Sequence, residues 1–242
     1  MDAPTPFKVA TLHDVAREAG VSLITASRAL SNPGMVAQRT IARVHAAVQA
    51  TGYIPNLLAG SLKSKRSLMV ASLVPAISVA QFLPTVQALT ESLEAAGYQL
   101  ILGQTGYDHS REDALLNAMI SRRADGIVVT GLIHSTAARS RLRQLGIPVV
   151  ETWDLSDHPV DMLVGFSHPA VGRAIASYFR ERGWQRVGIA TGDDHRGALR
   201  RAGFEQAIGA EVPTAVVSAP SSLELGRQAN PSCNRRPGVR AA

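Results

Sequence analysis

One stretch constrains this chain more than any other: residues 11–30, which read TLHDVAREAGVSLITASRAL. Thr11 can cap a first helix, with Asp14 as its partner three residues on, and Gly20 suits the left-handed position that ends a helix. Ser22 can cap a second helix, which leaves that helix's N-terminal backbone donors facing outward. Two helices joined by a glycine turn predict a helix-turn-helix, whose second helix enters the major groove of DNA. A surface helical hairpin is the alternative interpretation of these residues alone.

The same stretch, written T-L-x-D-V-A-x-x-A-G-V-S-x-x-T-x-S-R-x-L, is followed by the sequence GYIPN at residues 52–56. This combination resembles the start of the LacI-type (lactose repressor) family of transcriptional regulators. The resemblance continues to about Ile208, and in its detail it is similar to the gluconate-repressor branch. The segments that carry this detail are 97–99, 105–107, 147–151, Asp154 and 164–166.

The resemblance implies a chain of two folded parts. The first is an all-α three-helix helix-turn-helix headpiece, and the second is an α/β effector domain of the periplasmic-binding-protein-like fold. The implied function is repression of transcription by a homodimer that binds a double-stranded DNA operator and is released by a small sugar or sugar-acid effector such as gluconate. Ligand binding would close the cleft between the lobes and lower the affinity for the operator.

The net charge of +6 is distributed unevenly along the chain. Residues 1–66 carry 8 Lys or Arg and 3 Asp or Glu, a balance of +5, whereas residues 67–225 carry 13 and 16, a balance of −3. The last 17 residues carry 4 Arg and no acid. A basic N-terminal region on a mildly acidic body places the surface that attracts phosphate where the helix-turn-helix is expected.

The spacing of apolar residues and the positions of turn-forming residues divide the chain into five parts. From Ser67 onward, apolar strands alternate with amphipathic helices, which predicts a parallel sheet covered on both faces. The predicted parts are a flexible arm (1–8), the helix-turn-helix domain (9–54), a hinge helix or linker (55–66), an effector domain (67–225, with a first lobe to about 165 and a partial second lobe from about 166) and a non-family tail (226–242).

The tail is the main departure from the family. After Leu225 the sequence GRQANPSCNRRPGVRAA shows neither a helical nor a strand period. We therefore expect foreign sequence there and a truncated second lobe of at most three strands, with unpaired edges. Such a truncation would weaken both dimerisation and effector binding.

The residues expected to contact DNA lie in the helix-turn-helix and the hinge. Arg28 is the strongest candidate, because a guanidinium can fork onto the O6 and N7 atoms of guanine; neutralising a phosphate is its alternative role. Leu23 and Ile24 can read only thymine methyl groups or shape. By resemblance, the remaining candidates are Thr11, Leu12, Ser22, Thr25, Ser27, Asn32, Asn56, Ala59 and Leu62.

In the family, the segment after the headpiece folds into a hinge helix on DNA, and a leucine wedges into a minor-groove step. Leu62 is the nearest match here, and a basic run at residues 63–66 follows it. A wedge of this kind kinks DNA and allows more contact. An ordinary interdomain linker is the alternative interpretation.

For the effector, the resemblance points to Gln81, Phe82, Asp154, Arg196 and Arg200. An arginine would clamp a carboxylate with two hydrogen bonds, and an aspartate would accept hydrogen bonds from sugar hydroxyls. The alternatives are that Phe82 lies in the core, that Asp154 is a turn residue, and that the arginines form a solvated helix face.

Other classes of function have no support in the sequence. There is no GxGxxG, P-loop, GxSxG or metal-spaced His/Cys cluster, so we expect no enzyme, no cofactor and no metal site. His134, His158, His168 and His195 stand singly, as surface or packing residues do. One cysteine, no signal pattern and no apolar run of about 20 residues favour the cytoplasm and no membrane contact.

Two further alternatives remain open. The chain could be a sugar-binding module without DNA function, or a truncated remnant that binds DNA weakly and responds poorly to any sugar. A salt-dependent DNA-binding measurement separates the first of these from a regulator.

Overall fold

The computed structural model describes residues 10–54, 66–107 and 110–234. The chain divides into two compact units, Met1–Ser67 and Leu68–Ala242. In the first unit, three helices form a small bundle: α1 (Leu12–Glu18), α2 (Leu23–Ser31) and α3 (Gln38–Thr51). A short 3-10 turn, Pro33–Met35, joins α2 to α3.

The predicted caps and turns of this bundle are confirmed. The Thr11 backbone N–H and hydroxyl both donate to Asp14 Oδ2, at 3.0 and 2.7 Å. Gly20 and Gly52 have φ values of +58° and +64°, a conformation that a side chain would oppose. The core of the bundle consists of buried small residues, which are Val15, Ala19, Ala29, Val44 and Ala47.

The second unit begins with a five-stranded, all-parallel sheet. Its strands are β1 (Met69–Val74), β2 (Gln99–Gln104), β3 (Gly126–Thr130), β4 (Val149–Thr152) and β5 (Met162–Val164), in the spatial order β2-β1-β3-β4-β5. The helices between them are α4 (Leu83–Ala95), α5 (Ser110–Ser121) and α6 (Thr136–Leu145). Large aliphatic side chains such as Leu73, Leu116, Ile127 and Leu142 fill the core of this first lobe. A buried carboxylate, Glu151, accepts hydrogen bonds from the backbone N–H groups of Ile133 and Val160 at 2.8 and 2.7 Å.

The second lobe is smaller. It contains helix α7 (His168–Glu181), strand β6 (Ile189–Gly192), helix α8 (His195–Ile208), strand β7 (Thr214–Val217) and helix α9 (Leu223–Asn234). The two strands pair in parallel and form a sheet of their own. The sequence therefore predicts the βα alternation of both lobes correctly.

Two glycines bring the backbones of α7 and α8 together. A Cβ atom on Gly172 would lie 2.0 Å from the carbonyl oxygen of Arg200, and one on Gly203 would lie 2.2 Å from that of Pro169. Neither position has room for a side chain, so the backbones of the two helices are in direct contact at both points.

Three details of the second unit differ from the sequence-based expectations. Strand β5 was not expected, because it has only three residues and two of them are exposed. Helices α7 and α8 begin at His168 and His195, each three residues before the starts at 171 and 198 that the apolar periodicity predicts. The cause is an N-terminal cap in each case: Ser167 accepts from Ala170 N at 3.2 Å, and Asp194 accepts from Gly197 N at 3.0 Å.

The prediction that no regular structure follows Leu225 is wrong over residues 226–234, which belong to α9. Ala229 on this helix is buried, so the segment packs against the unit. Residues 235–242 lie outside the described residues. Within the described ranges, no helix has both the length and the apolar character that crossing a membrane requires.

Candidate functional site

Helix α2 presents a mixed apolar and basic face to solvent. Leu23 and Ile24 are 37% and 64% exposed, and Arg28 is exposed. Ala26 and Ala29 are buried. At 100° per residue these two sets fall on opposite faces of the helix, so the small residues pack inward while the larger ones face outward.

The N-terminus of α2 is fixed by local hydrogen bonds. Ser22 Oγ accepts from Thr25 N at 3.2 Å and lies 2.8 Å from Thr25 Oγ1. Ser27 and Asn32 are exposed on the same element and at its end. The Arg28 side chain forms no hydrogen bond or ion pair with any residue in the described ranges, which leaves its guanidinium available to a partner.

The other DNA-binding candidates have different surroundings. The exposed Thr11 hydroxyl is held by Asp14, and Leu12 packs against the core of the bundle. The hydrogen bonds from the Thr11 hydroxyl and then its backbone N–H lower the pKa of Asp14 to about 2. The carboxylate is therefore ionised at neutral pH and pairs with Arg17 at 2.6 Å. Asn56, Ala59 and Leu62, with the rest of the predicted hinge up to residue 65, lie outside the described residues.

The second unit contains a cavity of about 230 Å³. Its walls come from the segments that follow strands β1, β2, β3 and β4 in the first lobe and β6 in the second. Ligands of open α/β folds bind at this place, beyond the carboxyl ends of the strands. The cavity is therefore the candidate ligand site.

The lining of this cavity is rich in ionisable groups. It includes one guanidinium, that of Arg196, and two imidazoles, whose rings lie 6.5 Å apart. The four carboxylates in the lining are those of Glu112, Asp154, Asp193 and Asp194. Carboxylates accept hydrogen bonds from hydroxyl groups, so this lining suits a ligand with many hydroxyls.

Three of these carboxylates already hold one backbone N–H each. Asp154 Oδ1 accepts from Leu155 N at 2.8 Å, and Asp193 Oδ1 accepts from Ala219 N at 2.7 Å. Asp194 caps α8, as described above. These bonds fix the carboxylates in place, and each carboxylate keeps a second oxygen and further acceptor capacity.

The predicted effector residues separate into two groups. Asp154 and Arg196 line the cavity. Phe82 is buried and does not line it, but the guanidinium carbon of Arg196 lies 5.6 Å from the centre of the Phe82 ring, a cation–π contact that supports the arginine. Gln81 is exposed and is not part of the lining.

Arg200 is turned away from the cavity lining. Its Nη1 lies 3.1 Å from His168 Nδ1, and His168 Nε2 lies 2.9 Å from the Trp153 carbonyl oxygen. Because the guanidinium can only donate, Nδ1 accepts and Nε2–H donates, so the imidazole is neutral. Burial lowers the pKa of His168, and this agrees with the neutral form.

Several lining residues are absent from the predicted effector set, and two of them, His134 and His195, were predicted to be surface or packing residues. Tyr107 follows β2, Glu112 lies in the first turn of α5, His134 lies just after β3, and His195 begins α8. Burial raises the pKa of Tyr107, so its hydroxyl stays protonated and can donate. These residues could have been predicted from their place in the sequence, because each of them lies close to the carboxyl end of a parallel strand. His158 is exposed and distant from this lining.

A helix-turn-helix bundle followed by a two-lobed α/β unit with a cavity at its strand ends defines a class of two-part regulatory proteins. The family model of bacterial regulatory proteins of the lacI family matches residues 11–56. The model of the periplasmic binding protein domain matches residues 70–231, past the predicted end of the effector domain at Leu225. The chain belongs to the LacI family.

Curated relatives agree with this assignment. The HTH-type transcriptional regulator GntR of Pseudomonas aeruginosa is 35% identical over 225 residues, covering 89% of this chain and 65% of the relative. GntR of Escherichia coli K12 is 30% identical, covering 94% of this chain and 71% of the relative. The chain thus spans slightly less than two thirds of the Pseudomonas protein. Both relatives are named as transcriptional regulators and not as enzymes, which agrees with the expectation from the sequence.

Solved structures show the same architecture. A LacI-family transcriptional regulator from Silicibacter pomeroyi is 37% identical with a TM-score of 0.80, over 88% of this chain and 66% of that one. The Lac repressor dimer bound to operator and the anti-inducer ONPF is 22% identical with a TM-score of 0.73, over 91% and 68%. The second likeness shows the fold alone.

Proposed function

We propose that this chain is a transcriptional repressor that binds operator DNA through α2 and is released by a small sugar or sugar-acid effector, such as gluconate. The observation that carries the proposal is the outward face of α2, where Leu23, Ile24 and Arg28 are exposed opposite the buried Ala26 and Ala29. Membership of the LacI family supports it. The place of action would be the cytoplasm, where the DNA lies.

The exposed face of α2 has the chemistry of base recognition. Arg28 can donate two parallel hydrogen bonds to guanine, which is worth about 1–3 kcal/mol of discrimination against another base. Leu23 and Ile24 can contact thymine methyl groups. The hydroxyls of Ser22, Thr25 and Ser27 are available for phosphate contacts at the N-terminal half of the helix.

The test is a selection of duplexes from a random pool by the full chain, followed by gel shifts between about 50 and 200 mM salt. Arg28→Lys is the informative variant, because it keeps the charge and loses the planar fork. We expect it to lower the affinity for the selected duplex by about tenfold or more and to leave binding to a scrambled duplex nearly unchanged.

Two results would contradict the DNA-binding proposal. One is a wild-type chain that selects no sequence from the pool. The other is an Arg28→Lys variant that retains full affinity and specificity, which would indicate a phosphate contact. A chain that binds a sugar but no duplex would be the sugar-binding module considered above.

The cavity supports a polyhydroxylated effector. Its carboxylates, with Asp154 foremost among the predicted residues, are suited to accept hydrogen bonds from hydroxyls. Arg196 is the one guanidinium within the described lining that could hold a carboxylate group of the ligand. Arg200 contacts His168 outside the lining, so it would stabilise the walls of the site and not bind the ligand.

Calorimetric titrations of the full chain with gluconate and with glucose test this assignment. Asp154→Asn should weaken both ligands, whereas Arg196→Met should weaken gluconate by about tenfold and glucose much less. Equal losses for both ligands with Arg196→Met would refute a carboxylate-binding role. Binding of neither ligand to the wild type would refute the effector class.

The active form would be a homodimer. Two copies of α2 would read two half-sites about one helical turn apart, so the selected duplexes should contain an inverted repeat. Sedimentation of the chain with one duplex of this kind gives the stoichiometry. Binding of a single copy to an isolated half-site would contradict the dimer.

A further inference from the structure

We propose that Arg43 on α3 is a positioning residue for the recognition helix α2, an inference that rests on the proposed DNA-binding function. Arg43 lies 24 and 23 residues from the two carbonyl groups that it contacts. Its Nη2 donates to Ala19 O at 2.5 Å and approaches Gly20 O at 3.3 Å. Both carbonyls lie at the end of α1, immediately before the turn into α2.

These two carbonyls are among those at the end of α1 that accept no backbone hydrogen bond within the described ranges. A helix ends with carbonyl groups that lack intrahelical partners. Here the carbonyls of Val15, Ala16 and Arg17 accept from Ala19 N, Val21 N and Gly20 N, at 2.9, 3.0 and 3.2 Å. The carbonyls of Ala19 and Gly20 instead accept from Arg43, which places a positive charge at the negative end of the helix dipole.

The turn itself leaves room for the guanidinium. Gly20 has φ +58°, and a Cβ atom there would lie only 2.8 Å from Arg43 Nη2. The guanidinium thus occupies the place where a side chain of residue 20 would begin. A glycine at this position serves both the left-handed backbone and the arginine.

The contact between Arg43 and the turn lies close to the start of α2. Between Gly20 and the first residue of α2, Leu23, only Val21 and Ser22 intervene. The fully buried side chains between the helices are alanine and valine, and the larger Leu12, Leu30 and Ile41 pack half-buried at the edge of this core. A hydrogen-bonded contact from α3 to the turn therefore fixes the direction in which α2, and with it Arg28, leaves the bundle.

The alternative role for an exposed arginine in a DNA-binding domain is contact with a phosphate. The two roles differ in the dependence of binding on salt. Loss of a phosphate contact reduces the slope of log affinity against log salt by about 1 and weakens binding to all sequences alike. Loss of a positioning contact leaves the slope unchanged and weakens mainly the selected sequence, because that binding depends on the direction of the side chains.

The experiment compares Arg43→Met with the wild type and with Arg39→Met. Arg39 lies one turn earlier on α3, is exposed and has no hydrogen bond or ion pair within the described ranges, so it controls for loss of charge. Arg43→Lys keeps a charge that can reach the carbonyls and should restore part of the function. Each protein is titrated with the duplex selected by the wild type and with a scrambled duplex, at temperatures where circular dichroism shows it to be folded.

We expect Arg43→Met to weaken binding to the selected duplex by about tenfold or more, with an unchanged salt slope and little effect on the scrambled duplex. Equal losses on both duplexes with a smaller slope would overturn the proposal in favour of a phosphate contact. A loss that disappears on cooling would overturn it in favour of stability alone.

Hydrogen exchange separates this inference from the DNA-binding function itself. Arg43→Met should speed amide exchange in α2 by about tenfold while the central turns of α3 keep their protection. If the wild type binds no duplex, the proposed function fails and the exchange result alone decides the role of Arg43. Unchanged exchange in α2 would refute the positioning role.

Discussion

The helix-turn-helix bundle and the first lobe of the α/β unit bury different kinds of side chain. Within residues 10–54, the buried hydrophobic residues are all alanine or valine. The first lobe buries leucine and isoleucine, and Leu142 is fully inaccessible. Larger aliphatic residues of the bundle are half-buried at the edge of its core, as Leu12, Leu30 and Ile41 are, or exposed, as Ile24 is at 64% and Met35 at 75%.

The two cores differ in the free energy that burial of their side chains contributes to folding. Burial of a leucine or isoleucine contributes about 1.5–3 kcal/mol relative to exposure, and an alanine contributes much less. The bundle therefore gains little from its core and depends on caps, turns and polar contacts. Leu23 and Ile24 on α2 are not members of that core, and under the proposed function they would contact DNA.

The largest expected effect lies in the first lobe. Leu142→Ala should lower the free energy of unfolding of the α/β unit by about 2–5 kcal/mol, through lost burial and the cavity left behind. Urea denaturation followed by tryptophan fluorescence reports this unit alone, because both tryptophans, Trp153 and Trp184, belong to it. Leu145→Ala on the same helix is the control, since Leu145 is 52% exposed. Equal losses at the two positions would remove the contrast between buried and exposed large residues.

The second effect lies in recognition and not in stability. Ile24→Ala should weaken binding to the selected duplex by about 1 kcal/mol, near fivefold, and change the free energy of unfolding by less than about 0.5 kcal/mol. Met35→Ala, in the turn outside α2, should change neither quantity. Gel shifts and thermal denaturation measure the two. A large loss of stability with Ile24→Ala would mean that this side chain serves folding after all.

The third prediction compares matched caps in the two units. Ser22 and Ser167 each accept from a backbone N–H at 3.2 Å, and replacing either by alanine should cost about 1 kcal/mol. The same loss lowers the melting temperature of a small domain about twice as far as that of a large one. Calorimetry should show a shift of about 4–8 °C for Ser22→Ala and about 2–4 °C for Ser167→Ala. Equal shifts would indicate that the two units melt together.

The smallest effect is a dependence on pH that is confined to the α/β unit. Burial lowers the pKa of His168 from its ordinary value of 6.5, so the folded state resists a proton that the unfolded chain accepts. The contribution to stability is complete above pH 6.5 and is lost as the pH falls from there towards the lowered pKa. Asp154 opposes this shift, and Arg200 and Arg196 reinforce it. The stability of His168→Gln, measured by denaturation across this pH range, should not fall in this way. If the variant still loses stability as the pH falls, another group is responsible for the loss.

The sequence predicts most of the bundle and the alternation of the α/β unit, because both follow from local signals. Caps at Thr11 and Ser22 and the glycine turns depend on neighbours within four residues. Strand β5, in contrast, is too short to show a period and exists because β4 offers it an edge to pair with. Part of α9 was missed because NPSC at residues 230–233 has a poor helical composition.

The candidate site was harder to predict, since its residues meet through tertiary structure. Arg196 and Arg200 are four residues apart and therefore lie on one face of the same helix. No local signal tells which of them reaches the cavity. In the structure Arg196 lines the cavity and Arg200 contacts His168, whose imidazole is also hydrogen-bonded to the Trp153 carbonyl, far away in the sequence.

The contact between α7 and α8 limits how the α/β unit can deform. With Gly172 against Arg200 O and Gly203 against Pro169 O, the backbones meet directly at these two points, and the Phe179 and Phe204 rings pack between the same helices with their centres 5.8 Å apart. We expect the pair to turn as one rigid body, with the backbone rotation concentrated in the crossing segment between β4 and α7. Gly165, where a Cβ atom would come within 1.9 Å of Asp154 O, lies in that segment and is the natural axis of such a rotation. Spin labels on α7 and α8 should keep a constant separation when ligand is added.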